Sequence, residues 1–182
     1  MKARHLVPLI VFTALALLFG YVLVKMNKGE YNPREIPTEF IGRKAPAVEI
    51  PWLYDRNQRV SSAKYAGKVW LINFWGTWCP ECWKEHEFLL HLSRQGVPIF
   101  GVDWRDDDQE AIGFLRSKGD PFDQVGVDPR SDLAIEWGVY GAPETFLIDA
   151  EGVIREKHAG ALTPEVWNTK FAPYFLGREA VP

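Results

Sequence analysis

The chain contains two cysteines, Cys79 and Cys82, separated by two residues. They stand where an apolar run rich in β-branched and aromatic residues (69–75) gives way to a helical pattern, with Pro80 suited to the first helical turn. The thiolate is the reactive form of cysteine, and the N-terminal end of a helix favours its negative charge. Both sulfurs fall within one helical turn, so the pattern predicts a redox-active dithiol capable of thiol–disulfide exchange.

The two cysteines are expected to have different roles. Cys79, at the end of the helix, is predicted to be exposed and to attack a disulfide. Cys82, one turn further in, is predicted to be more buried and to resolve the mixed disulfide. Glu81 lies between them, and its charge opposes the effect of the helix dipole on Cys79.

Two other interpretations of the cysteines remain open. One is an inert disulfide, and the other is half of a zinc site in which Cys79, Cys82 and His86 follow a C-x₂-C-x₃-H spacing, with His91 further along. Within one helix these side chains converge poorly, and thiolate pairs in an oxidising compartment tend to oxidise. His86 and His91 are therefore predicted on the helix surface. We expect no metal and no cofactor.

A second segment, GVYGAPE at residues 138–144, directly precedes a short apolar run. A proline that enters a strand after a glycine is a candidate for a cis peptide, here at Pro143. A cis-proline would expose the backbone of Ala142 as an edge on which an extended peptide can pair. The alternative is a simple turn at the entry of the strand.

The remaining pattern predicts how these segments are positioned. Apolar runs predict the strands, and amphipathic or capped stretches predict the helices. Strands are predicted at 69–75, 97–102, 145–149 and 153–158, and helices at 77–94, 107–118, 131–137 and from 163 onward. The acidic triplet 106–108 is interpreted as a solvated helix N-terminus. Strands alternating with helices predict an α/β fold with a mixed central sheet and helices on both faces.

The N-terminal region predicts a membrane anchor. Residues 6–24 contain no charge and nearly span a hydrocarbon core of ~30 Å. We expect a cytoplasmic tail (1–5), one uncleaved transmembrane helix (6–24), a polar linker (25–38) and an exported domain (39–182). A cleaved signal peptide is the alternative, because a small-x-small triplet occurs at residues 14–16.

Charge and cysteine number exclude other classes. Residues 39–182 carry 16 basic and 22 acidic residues, so no basic patch is available to bind nucleic acid. Two cysteines are too few for a disulfide framework.

Two long motifs carry a resemblance to a known family. VWLINFWGTWCPEC (69–82) and GVYGAPETFLIDAEGVIREKHAG (138–160) resemble the thioredoxin superfamily. More narrowly, they resemble the membrane-anchored DsbE-type thiol:disulfide interchange proteins, also called cytochrome c maturation protein G. The resemblance covers residues 39 to about 175. It implies a thioredoxin-like fold, with Pro143 as its cis-proline, preceded by one N-terminal transmembrane helix.

The resemblance also implies a function and partners. The protein would act as a reductant on the periplasmic side of the inner membrane. It would receive electrons from a membrane thiol reductase of the DsbD or CcdA type. It would pass them to the haem-binding cysteines of apocytochrome c, directly or through a maturation factor. A dithiol oxidase and a non-enzymatic module that binds apocytochrome are the alternatives.

The resemblance extends to individual site residues. Glu85 and Glu144 match positions singled out in that family, and a carboxylate near the dithiol can take or give the Cys82 proton. Asn73 stands where thioredoxins place a buried aspartate, which strengthens the case for both glutamates. The expected contact surface for the substrate consists of Trp78, Pro80, Ala142 and Pro143.

Overall fold

The protein is described by a computed structural model that covers residues 6–27 and 40–176. The predicted tail at 1–5 and all but the first three residues of the predicted linker lie outside the described residues. The chain divides into two compact units, Met1–Ile36 and Pro37–Pro182, which are described separately.

In the first unit, the described residues 6–27 form the helix α1 (Leu6–Asn27), which extends three residues beyond the predicted end of the apolar span. At ~1.5 Å per residue its 22 residues are about 33 Å long. The segment Val7–Val24 is long and apolar enough to cross a membrane, by length and composition. It is therefore a candidate transmembrane span.

The second unit is built from alternating strands and helices. Its first half contains β1 (Glu49–Pro51), β2 (Arg59–Ser61), a 3₁₀ turn (Ser62–Tyr65), β3 (Trp70–Trp75), α2 (Pro80–Arg94), β4 (Ile99–Trp104) and α3 (Asp108–Lys118). Its second half contains β5 (Gln124–Asp128), α4 (Asp132–Glu136), β6 (Glu144–Ile148), β7 (Ile154–Ala159), α5 (Pro164–Val166), a π-helical turn (Trp167–Phe171) and α6 (Ala172–Phe175).

The central sheet has the strand order β5-β4-β3-β6-β7. Strand β3 is parallel to β4 and antiparallel to β6, while β4 and β5 are parallel and β6 and β7 antiparallel. All six residues of β3 are buried, because β3 is the middle strand and both faces of the sheet are covered. The predicted mixed sheet with helices on both faces is confirmed.

Alternation along β3 assigns its side chains to two separate cores. Phe74 packs with Trp137 and Phe146 on one face. Leu71 packs on the other face with Leu89 of α2. Asn73 lies between Ile72 and Phe74, so its side chain shares the α2 face with Leu71.

The structure contains three strands that the sequence pattern missed. In β5 the apolar pattern is interrupted by Gly126, although the strand itself is continuous, and a Cβ atom there would lie 2.4 Å from Cγ1 of Ile50. Strands β1 and β2 are only three residues long, and β1 ends at a proline. Runs this short lack the alternating pattern that predicts a strand.

Candidate active site

The dithiol lies at the N-terminus of α2. The helix begins at Pro80 rather than at residue 77, because Cys79 has extended backbone angles and caps it. Cys79 and Cys82 are joined by a disulfide with their Cα atoms 5.3 Å apart. The backbone N–H of Cys82 donates to Cys79 Sγ at 3.1 Å. In the reduced protein this donor and the helix end favour the Cys79 thiolate.

The prediction that Cys79 is exposed and Cys82 more buried is wrong for this disulfide state. The exposed fraction is 2% for Cys79 and 5% for Cys82. Both pack in one apolar cluster with Trp75 and Val127, and Ala142 closes against that cluster. The capping position therefore does not expose the sulfur, because neighbouring elements enclose the end of the helix.

Two tryptophans form an exposed apolar rim beside the disulfide. Trp78 is 49% exposed, and its indole N–H donates to the carbonyl of Trp104 at 3.0 Å. Trp83 is 58% exposed, and its indole N–H donates to the carbonyl of Thr77 at 2.8 Å. Each indole is held by a hydrogen bond at its polar end and presents its ring to solvent.

The loop that precedes β6 contains the cis-proline. The Ala142–Pro143 peptide is cis, as predicted. Pro143 is buried, and its carbonyl accepts a hydrogen bond from Gly160 N at 2.8 Å. Ala142 is half-buried and packs against the cluster that contains both cysteines. The structure thus brings the predicted residues of the two motifs together.

Glu85 forms a buried polar network one turn after Cys82. Its Oε1 accepts from Asn73 Nδ2 at 2.8 Å, and its Oε2 accepts from Leu162 N at 2.6 Å. Asn73 Nδ2 also donates to Thr145 Oγ1 at 3.0 Å. Burial raises the pKa of Glu85 to about 7, although the two hydrogen bonds act in the opposite direction. Glu85 can therefore take up or release a proton near neutral pH.

Glu144 lies on the other face of the sheet. It pairs with Phe74 across β3 and β6, so its side chain is on the Phe74 face, opposite the Asn73–Glu85 network. Its Oε1 accepts from Tyr140 N at 2.9 Å and from Gly141 N at 3.1 Å. The structure does not bring the two predicted glutamates together.

A buried ion pair completes the surroundings of Glu144. Its Oε2 lies 2.9 Å from Lys157 Nζ, and both side chains are almost fully buried. The same ammonium group donates to the carbonyl of Gly138 at 2.9 Å. Glu144 and Lys157 thus connect the body of the sheet to both ends of the loop before Pro143.

His86 contradicts its predicted surface position. It is buried at 7% exposure, and its Nε2 lies 3.0 Å from the carbonyl of Gly119. Phe114 of α3 packs edge-on against the imidazole ring, which explains why the residue is covered. Burial lowers the pKa of His86. His91 is exposed, as predicted.

Two aspartates near the site were missed or misread from the sequence. Asp106 was interpreted as part of a solvated helix N-terminus. Its carboxylate instead accepts hydrogen bonds from both the backbone N–H and the hydroxyl of Thr77, the latter at 2.8 Å. Asp103, at the end of β4, is buried at 2% exposure. The available signal for Asp103 was an aspartate placed at the end of an apolar strand, close to the acidic triplet.

The fold and the dithiol together place the chain in the thioredoxin-like class of thiol:disulfide oxidoreductases. Residues 41–172 match the Redoxin family. The chain is 41% identical over 171 residues to the thiol:disulfide interchange protein DsbE of Allochromatium vinosum, covering 93% of this chain and 91% of that protein. It is 39% identical over 169 residues to DsbE of Escherichia coli, covering 92% and 91%. The chain belongs to the DsbE family of thiol:disulfide interchange proteins.

Solved structures support the same fold. A secreted thiol-disulfide isomerase from Corynebacterium glutamicum superposes with a TM-score of 0.66 at 19% identity, covering 78% of this chain and 94% of that one. A thiol:disulfide interchange protein of the thioredoxin family from Chlorobium tepidum gives 0.60 at 21% identity, covering 72% and 94%. The thioredoxin-like fold predicted from the two motifs is confirmed.

Proposed function

We propose that this protein is the reductant that keeps the haem-binding cysteines of apocytochrome c, or those of a maturation partner, reduced. Membership of the DsbE family supports this assignment. The observation that carries the mechanism is the buried Glu85 one turn after Cys82, in a site where Asn73 replaces the usual aspartate. A carboxyl group that titrates near neutral pH is suited to receive the proton of the resolving thiol.

The exchange then proceeds in two balanced steps. The Cys79 thiolate attacks a substrate disulfide, which forms a mixed disulfide and releases one substrate thiolate. The Glu85 carboxylate accepts the proton of Cys82, and the resulting thiolate attacks Cys79 Sγ. This second step forms the Cys79–Cys82 disulfide and releases the second substrate thiolate. The substrate gains two electrons and the protein loses two.

The surface around the disulfide supports binding of an extended peptide. The exposed Trp78 ring and Pro80 lie beside the dithiol, and the Ala142–Pro143 peptide provides a backbone edge. An unfolded apocytochrome segment would pair with this edge while its apolar side chains contact the tryptophan. Glu144 contributes to this surface by holding the loop before Pro143 through Tyr140 N and Gly141 N.

The assignment also specifies an electron donor and a location. Each turnover leaves the dithiol oxidised, so the reductant needs a continuous supply of electrons from a membrane thiol reductase of the DsbD or CcdA type. Helix α1 supports a single-pass location in the inner membrane. In this arrangement residues 1–5 lie in the cytoplasm, residues 25–38 form the linker, and the 39–182 domain lies in the periplasm.

A complementation experiment tests the proposal. The wild-type chain should restore c-type cytochromes, detected by haem staining, in cells that lack this protein, and Cys79→Ser should not. Ser117→Ala, a change of similar size at an exposed position in the last turn of α3, is the control. Normal cytochrome levels with Cys79→Ser would contradict the reductant role. If the Cys79→Ser/Cys82→Ser double variant also restores c-type cytochromes, the protein acts as a non-enzymatic binding module and not as a reductant.

The direction of electron flow has its own test. Equilibration of the full chain with glutathione gives the reduction potential of the dithiol. We expect a value toward that of thioredoxin, about −270 mV, rather than that of the oxidant DsbA, about −120 mV. A value at the oxidant end would assign the protein as a dithiol oxidase.

A further inference from the structure

The turn that follows β4 holds the loop that carries the dithiol. The carbonyl of Trp104 accepts the indole N–H of Trp78 at 3.0 Å. Two residues later, the Asp106 carboxylate accepts both the backbone N–H and the hydroxyl of Thr77. These three hydrogen bonds reach the two residues immediately before Cys79. The turn therefore restrains the segment that leads into the capping cysteine.

The backbone of this turn has an unusual conformation. Arg105 lies between Trp104 and Asp106. Its φ is 53°, in the left-handed region that residues other than glycine rarely adopt. Its N–H donates to the carbonyl of Asp128 at 3.3 Å, which ties the turn to the end of β5. Such a conformation persists only where surrounding contacts enforce it, and it clusters at functional sites.

The buried Asp103 lies next to Asp106. Asp103 interacts with the Asp106 carboxyl group, while its own Oδ1 is buried without a hydrogen-bond partner. A hydrogen bond between two carboxyl groups requires one of them to carry a proton. Asp106 already accepts from Thr77 N, from Thr77 Oγ1 and from Asp107 N. Asp103 is buried at 2% exposure. The proton therefore belongs on Asp103, which donates to the carboxylate of Asp106.

The charges around Asp103 come from three elements. Asp106 of the turn and Asp108 of α3 repel a negative charge on Asp103, whereas Arg56, which pairs with Asp108, favours one. Burial is the largest effect, and together with the two aspartates it raises the pKa of Asp103 to about 8. From α2, the same face of the sheet carries Cys79 and Cys82, which do not titrate as the disulfide but do titrate in the reduced protein. Asp103 is thus neutral at pH 7 and ionises in mildly alkaline solution.

We propose that Asp103 and Asp106 are positioning residues for thiol–disulfide exchange, with Asp103 orienting Asp106 and Asp106 holding Thr77 so that Cys79 stays at the helix N-terminus. Neither carboxyl group needs to touch the reacting sulfurs. The inference requires only the exchange chemistry of the family and is independent of the proposed role in cytochrome c maturation. Ionisation of Asp103 would place two adjacent carboxylates behind the loop, and their repulsion would weaken the hydrogen bonds between Asp106 and Thr77.

The test measures oxidation of the reduced full chain by glutathione disulfide from pH 6 to 9.5, followed by tryptophan fluorescence. Alkylation of Cys79 with iodoacetamide over the same range gives its thiolate fraction, by which each rate is divided. The wild-type corrected rate should fall above about pH 8. Asp103→Asn keeps a neutral donor to Asp106, so it should retain the wild-type rate at pH 7 and lose this alkaline fall.

Asp106→Asn provides the second arm, because an amide cannot accept from both Thr77 donors. Its corrected rate should fall at least about tenfold at every pH, the equivalent of one hydrogen bond to a charged group. Asp132→Asn, an exposed aspartate paired with Arg130, is the charge-matched control and should match the wild type.

Three results would overturn the inference. One is an Asp106→Asn variant with the wild-type corrected rate. Another is an Asp106→Asn variant that reacts faster with a lowered Cys79 pKa, which would show that Asp106 acts only through its charge. The third is a corrected rate that still falls above about pH 8 in Asp103→Asn. This measurement tests the proposal even if Asp106→Asn fails to fold. Since glutathione is the partner, these outcomes do not depend on any cytochrome substrate.

Discussion

Replacing Glu85 with glutamine should change how the stability of the oxidised protein depends on pH. Glu85 is fully buried, and its pKa is raised from the ordinary value of 4.5 to about 7. The folded protein therefore holds this proton more tightly than the unfolded chain does. Between these two values the unfolded chain ionises first, so this residue lowers the free energy of unfolding as the pH rises.

The size of the effect follows from the shift. One pKa unit corresponds to ~1.4 kcal/mol, so Glu85 lowers the free energy of unfolding by about 3 kcal/mol between pH 4.5 and pH 7. Glutamine cannot ionise. It also cannot accept from both Asn73 Nδ2 and Leu162 N. The free energy of unfolding of Glu85→Gln is therefore lower by about 1–3 kcal/mol at every pH. Only the first effect varies with pH.

Urea unfolding of the oxidised full chain in detergent, followed by tryptophan fluorescence at pH 4.5, 6, 7 and 8, measures this difference. The stability of Glu85→Gln relative to the wild type should rise by about 3 kcal/mol across the range. Glu87→Gln, an exposed glutamate on the same helix, is the matched control and should show no such rise. A difference for Glu85→Gln that is constant with pH would refute the assignment of Glu85 as the buried titrating acid.

Three further predictions concern the exchange and the loop. Cys82→Ser should accumulate a mixed disulfide through Cys79 on non-reducing gels, and its absence would contradict the assigned order of attack. Lys157→Met should lower the urea-unfolding free energy by about 3–5 kcal/mol by leaving Glu144 buried without its partner. Adding Glu144→Gln should restore at least half of that loss, and no restoration would refute the coupling. Trp83→Ala should weaken binding of an unfolded C-x-x-C-H peptide about tenfold in fluorescence anisotropy, and unchanged binding would exclude Trp83 from the substrate surface.

The sequence predicted the elements whose signals are local. Cys79, Cys82 and Pro80 placed the start of α2 to within three residues, and Pro143 after a glycine marked the cis peptide. The long apolar run at 69–75 predicted the buried strand β3. Each of these signals lies within a few consecutive residues and depends on backbone geometry that the residue types themselves impose.

The features that the sequence did not predict depend on contacts between distant segments. His86 is buried because Phe114 and Gly119, about 30 residues later, cover it. Glu144 and Glu85 lie on opposite faces because of the register between β3 and β6, which no local pattern specifies. Asp106 had an adequate local interpretation as a helix start, and only the folded chain shows that it reaches Thr77.

The thiol state of Cys79 and Cys82 in growing cells tests the reductant role most directly. Acid quenching followed by a maleimide reagent that adds mass to free thiols separates reduced from oxidised protein on a gel. We predict a dithiol that is largely reduced at steady state and becomes oxidised when the membrane thiol reductase is deleted. A dithiol that is oxidised in both strains would contradict the role, because such a protein could not supply electrons to its substrate.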